Sequence, residues 1–167
     1  MSGEDAAVVR RLRAEIRADR SAMEDRTAEV RQFAHGDGSV PPERPGALAL
    51  ALDRAYTALE SILERVARTL EGGVPEGADW HRSLLQNASL EIERVRPAIL
   101  GGEAVSMADE ARRFRHFVRH GYAAPLDWER VRRVAQAWLA DELALRRDLD
   151  AFDDFLGKLA DRLDRPE

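Results

Sequence analysis

Two histidines and several arginines lie close together between residues 111 and 133. Arg115 and Arg119 are four residues apart, as are His116 and His120, so a helix would present both pairs on one side. An imidazole can take or give a proton near neutral pH, and a guanidinium can hold two phosphate oxygens as negative charge accumulates. Such side chains could cleave RNA without a metal, through attack of a 2′-hydroxyl on phosphorus.

The charge of this segment has two equally good interpretations, a bound polyanion and a solvated helix face. Residues 111–133 contain seven Arg and two acidic residues, a net charge of +5, whereas the whole chain carries −5. A local excess of positive charge in an acidic protein is expected where a polyanion binds. An Arg-rich solvated helix face, balanced by carboxylates of neighbouring helices, explains the same charge equally well.

Other familiar chemistries are excluded by residue type and spacing. The chain has no Cys, which excludes disulfides, thiolate metal sites and a cysteine nucleophile. Lys158 is followed by Leu159 and is the only lysine, so no phosphate-binding GxxxxGK[ST] loop exists. No Glu-x-x-His pair occurs, and His116 and His120 lack a convincing third metal ligand. We therefore expect neither a metal nor a cofactor.

The hydrophobic pattern predicts an all-α fold. Apolar residues recur three or four positions apart in a chain of 167 residues, which indicates one domain over residues 1–167, built as an antiparallel bundle of about five helices. The first helix is predicted from about Glu4 to Ala34 and the second from about Gly46 to Leu70. With a short connection, the two should form a long amino-terminal hairpin.

Three further helices are predicted after this hairpin. Asp79 is placed to cap the third, which Pro97 ends or bends, while Ser106 and Asp109 have the spacing of a capping box for the fourth. Asp127 should cap the last helix, whose nearly heptad pattern continues for about 36 residues. That length indicates a long core helix, a kinked helix or one that packs against another chain.

The amino terminus has neither a basic region nor an apolar stretch, and no later window approaches the roughly 18 apolar residues of a membrane span. These features predict a cytoplasmic protein without a membrane segment.

The sequence from Arg115 to Tyr122, Arg-His-Phe-Val-Arg-His-Gly-Tyr, matches the RxxxxHxY signature of the HEPN superfamily and resembles HepT-like ribonuclease toxins. The resemblance continues in three further blocks and covers about residues 45–155. These blocks are Gly77-Ala-Asp-Trp-His-Arg-Ser-Leu-Leu, Val95-Arg-Pro-Ala-Ile and Leu126-Asp-Trp-Glu-Arg-Val. It is the combination of blocks that is specific.

The resemblance implies a HEPN-like helical homodimer in which two RxxxxH motifs meet in one cleft and act as a metal-independent endoribonuclease. Arg115 and His120 are implied as catalytic residues. His116, Arg119 and Arg112 are expected to support RNA binding. His120 should lie in the last turn of its helix, where the dipole favours an imidazolium and thus an acid role.

The resemblance also implies a partner, a nucleotidyltransferase antitoxin on a separate chain that transfers AMP to Tyr122. The added phosphate would lie beside the Arg cluster and block RNA entry.

An alternative is a catalytically silent helical module that acts as an antitoxin, a nucleotide-sensing adaptor or a protein-interaction scaffold. His81 fits a structural role, with RNA contact as the second possibility.

Overall fold

A computed structural model describes residues 2–35, 41–120 and 125–164 of the protein. Within these ranges the chain forms six α-helices and no strand, which confirms the predicted all-α bundle. None of the helices in the described ranges has the length and apolarity needed to cross a membrane. The helices are α1 (Ser2–Ala34), α2 (Arg44–Leu70), α3 (Trp80–Ala88), α4 (Gly102–His120), α5 (Trp128–Ala140) and α6 (Glu142–Leu163).

The long hairpin of α1 and α2 is the largest packed unit. α2 runs back along α1, so that Arg65 near its end forms ion pairs with Glu15 and Asp19. α2 begins at Arg44, slightly before the predicted start, because Pro45 fits the first turn of a helix, where a missing N–H costs no hydrogen bond. Apolar stripes of both helices are buried between them, among them Leu12, Ile16, Met23, Leu52, Leu59, Ile62 and Val66.

The third helix begins directly after Asp79, as predicted, but the predicted cap hydrogen bond and the predicted end are wrong. Asp79 makes no side-chain cap hydrogen bond, and α3 ends at Ala88, well before Pro97. The chain then turns over the end of α3, where the backbone N–H groups of Ile99 and Leu100 both donate to the Ala88 carbonyl. Buried Arg96 holds this turn together through carbonyl oxygens of the loop and an ion pair with Glu71. A buried arginine with several acceptors thus replaces the helical bonds that the apolar pattern predicts.

The fourth helix begins earlier than predicted. α4 starts at Gly102, so Ser106 and Asp109 lie inside the helix and do not form a capping box. Asp109 instead forms ion pairs with Arg112 and Arg113, one turn further along. The cap predicted at Asp127 is confirmed, since its side chain accepts a hydrogen bond from the backbone N–H of Glu129.

The predicted last helix is interrupted, so the described residues contain six helices where about five were predicted. α5 ends and α6 begins around Asp141, whose backbone leaves the helical conformation at φ −102° and ψ 9°. Of the arrangements that the sequence left open for this helix, the structure has the kinked helix. The break lets α5 bury Trp138 against α1, where the indole N–H donates to Thr27, while α6 packs along α1 and buries Phe152.

A row of ion pairs, here called the α1–α6 ladder, joins these two helices at the surface. Arg13 and Arg17 both bind Asp153, each through two hydrogen bonds. The other members are Arg10 with Asp164 and Arg20 with Asp150.

Candidate functional site

The site side chains predicted from the sequence line one cavity at the carboxyl-terminal end of α4. The cavity encloses about 140 Å³. Its lining residues are Arg112, Arg115, His116, Arg119 and His120 of α4, Tyr56 of α2 and His81 of α3. All of the predicted site residues except one therefore share this cavity. The exception, Tyr122, lies outside the described residues.

The amphipathic pattern of α4 explains this placement. Ala108, Ala111 and Phe114 turn into the core, and α4 packs against α2, α3, α5 and α6. Residues at the other angular positions of the last two turns then point towards the space beside α2 and α3. The helix period thus separates the buried Phe114 from the neighbouring Arg115, which lines the cavity.

Arg115 is more buried than the sequence predicts. Its side chain is only 13% exposed; the guanidinium pairs with two carboxylates of α2, Nε with Asp53 Oδ1 at 3.1 Å and Nη1 with Glu60 Oε1 at 2.8 Å. Arg115 is therefore not part of a solvated helix face, the alternative that the charge of this segment left open. Removing this side chain would leave buried carboxylate charge without its partner.

Glu60 is the centre of the hydrogen bonds beneath the cavity. Its side chain is 6% exposed, and one oxygen, Oε2, accepts from the Tyr56 hydroxyl at 3.1 Å and from His81 Nδ1 at 2.6 Å. The other oxygen accepts from Arg115. Three donors compensate the cost of burying this carboxylate. We call Glu60, Tyr56, His81 and Arg115 the Glu60 cluster.

The Tyr56 hydroxyl stays a hydrogen-bond donor in this cluster. Burial raises the pKa of Tyr56 far above its usual range, and the nearby negative charge of Glu60 raises it further. The phenol is therefore protonated at any physiological pH and helps to fix the Glu60 carboxylate. The Arg115 guanidinium also lies 5.5 Å from the centre of the Tyr56 ring, within the range of a cation–π interaction.

His116 and His120 lie exposed at the end of α4. Their rings are stacked, with centroids 4.2 Å apart. His120 Nδ1 donates to the backbone carbonyl of His116 at 2.9 Å, which leaves Nε2 as the second ring nitrogen for a ligand. His35 makes the same bond to the carbonyl four residues before it, also at 2.9 Å, so this bond is a feature of the helix end. What distinguishes His120 is the cavity beside it.

The remaining arginines of the cavity are also paired. Arg119, half-exposed, reaches Asp53 at 3.3 Å, and Arg112 reaches Asp109 at 2.8 Å. The carboxylates of Asp53, Glu60 and Asp109 therefore face the three arginines that line the cavity. The carboxylates of neighbouring helices balance much of the positive charge in this part of α4, as the solvated-face interpretation expects. The solvated-face interpretation does not predict that imidazoles line a cavity.

The described residues contain no group of three or more His, Asp or Glu side chains arranged to hold a metal ion.

Sequence reasoning missed Asp53, Tyr56 and Glu60, and it gave His81 a structural role, with RNA contact as the second possibility. The missed signal lies in α2, where Glu60 follows Leu59 and stands one turn after Tyr56 within a stripe of apolar residues. A carboxylate at a buried position requires a cationic or hydrogen-bonding partner from another helix. That requirement predicts a polar cluster under α2, although the sequence does not identify Arg115 and His81 as the partners.

Comparison with known protein families assigns the chain to one family. A family model described as "HepT-like protein" matches residues 47–156, and the chain belongs to this HepT-like, HEPN-type family, which is generally related to HEPN ribonucleases. The matched residues contain every described residue that lines the cavity and exclude α1. Neither a curated protein nor a solved structure matches the chain.

Proposed function

We propose that this HepT-like protein is a metal-independent endoribonuclease that acts as the toxin of a HEPN and nucleotidyltransferase toxin–antitoxin pair. The observation that carries the proposal is the single cavity shared by Arg115 and His120. Around it lie a guanidinium and imidazoles, the groups that phosphoryl transfer from RNA requires.

Cleavage proceeds by attack of a ribose 2′-hydroxyl on the adjacent phosphorus. Arg115 stabilises the negative charge that accumulates on the phosphorane oxygens. His120 transfers protons through Nε2. Arg112, His116 and Arg119 hold the RNA backbone at the cavity.

The active form is a homodimer in which the two RxxxxH motifs face a shared cleft. His120 is exposed at the end of α4, where a second subunit or an RNA strand has access to it. Equilibrium sedimentation tests this part: a monomer at micromolar concentration contradicts it.

A separate nucleotidyltransferase chain acts as the antitoxin by transferring AMP to Tyr122. This tyrosine stands two residues after His120 in the sequence, so the added phosphate places negative charge next to the RNA-binding arginines. Incubation with the partner and ATP should give an AMP mass increase on the peptide that contains Tyr122. A Tyr122→Phe variant that still gains the mass contradicts this assignment.

The cleavage assay uses structured RNA and transfer RNA in the presence of EDTA. Wild-type protein should cleave, and Arg115→Lys should cleave at least about ten times more slowly, since lysine keeps the charge facing Glu60 but loses bidentate phosphate binding. Arg13→Lys, a variant in the α1–α6 ladder, is the matched control and should cleave at the wild-type rate. Equal rates for all three proteins contradict the proposal.

A second function, a catalytically silent helical module that serves as an antitoxin or adaptor, is favoured by one observation. Both Asp53 and Glu60 pair with Arg115, an arrangement that a purely structural arginine would also adopt. This alternative predicts no cleavage by wild-type protein in EDTA, together with a loss of thermal stability in Arg115→Lys.

A further inference from the structure

The cavity contains a third imidazole, His81, which comes from α3 and stands outside the RxxxxHxY motif. Its Nδ1 lies 2.6 Å from Glu60 Oε2. Its ring stacks on Trp80, with ring centroids 3.6 Å apart. The side chain is 38% exposed, so His81 is held on one edge and one face while it remains accessible from the cavity.

The Glu60 carboxylate determines which nitrogen of His81 is available. A carboxylate only accepts hydrogen bonds, so Nδ1 carries a proton and the lone pair of the neutral ring is on Nε2. Glu60 itself is held by the Tyr56 hydroxyl and by Arg115. A carboxylate fixed behind an imidazole orients the ring and stabilises the imidazolium that forms when Nε2 takes a proton.

His120 has a different environment in the same cavity. It is the last residue of α4, and its Nδ1 donates to a backbone carbonyl, so its ring is held by a neutral acceptor rather than by a carboxylate. Two titratable groups in contrasting environments are the arrangement expected of an acid and a base that act together.

We propose that His81 is the general base of the reaction and that Glu60 is its positioning residue, an inference that rests on the proposed ribonuclease function. His81 Nε2 takes the proton of the 2′-hydroxyl as the 2′-oxygen forms its bond to phosphorus. The bond from phosphorus to the 5′-oxygen breaks, and the imidazolium of His120 gives its proton to that oxygen. The products are a 2′,3′-cyclic phosphate and a 5′-hydroxyl, and each proton is accounted for.

An RNA whose scissile 5′-oxygen is replaced by sulfur distinguishes the role of the general base from that of the general acid. A thiolate leaves without a proton, so this substrate compensates for the loss of a general acid but not for the loss of a general base. His81→Asn is the main variant, because the Asn amide can still donate to Glu60 while Nε2 is lost. His35→Asn is the matched control, since His35 directly follows α1 and is not among the residues that line the cavity.

On ordinary RNA in EDTA, His81→Asn and His120→Ala should each be slower than wild type by about 10²–10⁴-fold. On the sulfur-substituted RNA, His120→Ala should recover most of its rate, whereas His81→Asn should stay slow. His35→Asn should match wild type on both substrates. RNA cleavage by Glu60→Gln should also be slow, and it should stay slow on the sulfur-substituted RNA, because Glu60 acts through His81.

Three results overturn the inference. The first is wild-type cleavage by His81→Asn, and the second is recovery of His81→Asn on the sulfur-substituted RNA, which would make His81 the acid. If His81→Asn melts below the assay temperature, His81→Gln takes its place, and the third result is a wild-type rate in that variant. In each of these three cases, loss of activity in His120→Ala would still support the proposed ribonuclease function. Absence of cleavage by wild-type protein overturns both proposals.

Discussion

Two of the regions where arginines pair with carboxylates, the α1–α6 ladder and the Glu60 cluster, differ in burial. In the ladder, Arg13 and Arg17 share Asp153 at the surface, above buried apolar side chains of α1 and α6. In the Glu60 cluster the carboxylate is 6% exposed and lies beneath a cavity. The donors to Glu60 include an imidazole and a phenol as well as a guanidinium.

The comparison shows that the number of charges does not distinguish a structural contact from a candidate site. The ladder as defined contains four Arg–carboxylate pairs and the Glu60 cluster one, Arg115–Glu60. Of the two regions, only the Glu60 cluster combines a buried carboxylate with an adjoining cavity and accessible ring nitrogens. The ladder depends on α1, which lies outside the residues matched to the HepT-like family, whereas the Glu60 cluster lies inside them. The ladder should therefore affect stability alone, and the Glu60 cluster should affect both stability and reaction rate.

The largest difference is expected between two histidines that end helices. His120→Ala should slow RNA cleavage by about 10²–10⁴-fold, equivalent to about 3–5 kcal/mol in the barrier, because it removes a proton-transfer group. His35→Ala removes a histidine with the same backbone hydrogen bond and should cleave normally. Single-turnover rates with thermal melts measure both effects. Similar rates for the two variants would mean that the cavity beside His120 takes no part in RNA cleavage.

The second test concerns the buried charge. Arg115→Met should lower the free energy of unfolding by about 3 kcal/mol, because Glu60 loses its cationic partner inside the protein. Adding Glu60→Gln should restore a large part of this stability, since the buried negative charge is then absent. Arg13→Met in the ladder should cost less, about 1 kcal/mol. Urea unfolding provides the values, and additive losses in the double variant would contradict the described pairing.

The third test uses Asp153, the carboxylate of the ladder that Arg13 and Arg17 share. Hydrogen bonds from Arg13 and then Arg17 hold the pKa of Asp153 well below its usual range. The stabilisation is complete above the ordinary Asp value near ~4 and is lost as the pH falls towards the lowered value. Asp153→Asn should lose about 1–2 kcal/mol at pH 7, and its deficit should shrink on acidification. Melting curves between pH 7 and pH 2 test this, with RNA cleavage at pH 7 unchanged.

The smallest effect compares two exposed arginines that each bind an Asp. Arg119 is 52% exposed beside Asp53, and Arg17 is 58% exposed beside Asp153. Arg119→Ala should weaken RNA binding a few-fold and reduce the slope of log affinity against log salt by about one, as expected for one phosphate contact. Arg17→Ala should change neither quantity. Binding isotherms at several salt concentrations give the slopes, and equal slopes would place Arg119 outside the RNA contact.

The sequence predicts the helices where one periodic pattern dominates. The all-α class, the long hairpin and the cap at Asp127 follow from spacing and side-chain chemistry. The boundary at Ala88 does not, because the end of α3 depends on Arg96, a residue eight positions later in the chain. Similarly, the break near Asp141 interrupts an apolar pattern that continues on both sides, and the local pattern does not show how α5 and α6 pack against the other helices.

The candidate site is predictable within one helix but not between helices. Positions four apart place Arg115, Arg119, His116 and His120 on α4, and all four line the cavity. The contribution of α2 and α3 depends on long-range packing. His81 and Glu60 are 21 positions apart, and no local pattern connects them. A buried acidic residue on α2 is the only sequence signal for this half of the site.

The central claim is that the cavity of the Glu60 cluster cleaves RNA through its own side chains. The most direct measurement is the chemical nature of the ends that wild-type protein produces from a defined RNA in EDTA. The account predicts a 2′,3′-cyclic phosphate and a 5′-hydroxyl, formed by wild-type protein and absent with His120→Ala. Ends that carry a 5′-phosphate and a 3′-hydroxyl, or the same cleavage by His120→Ala, would contradict it.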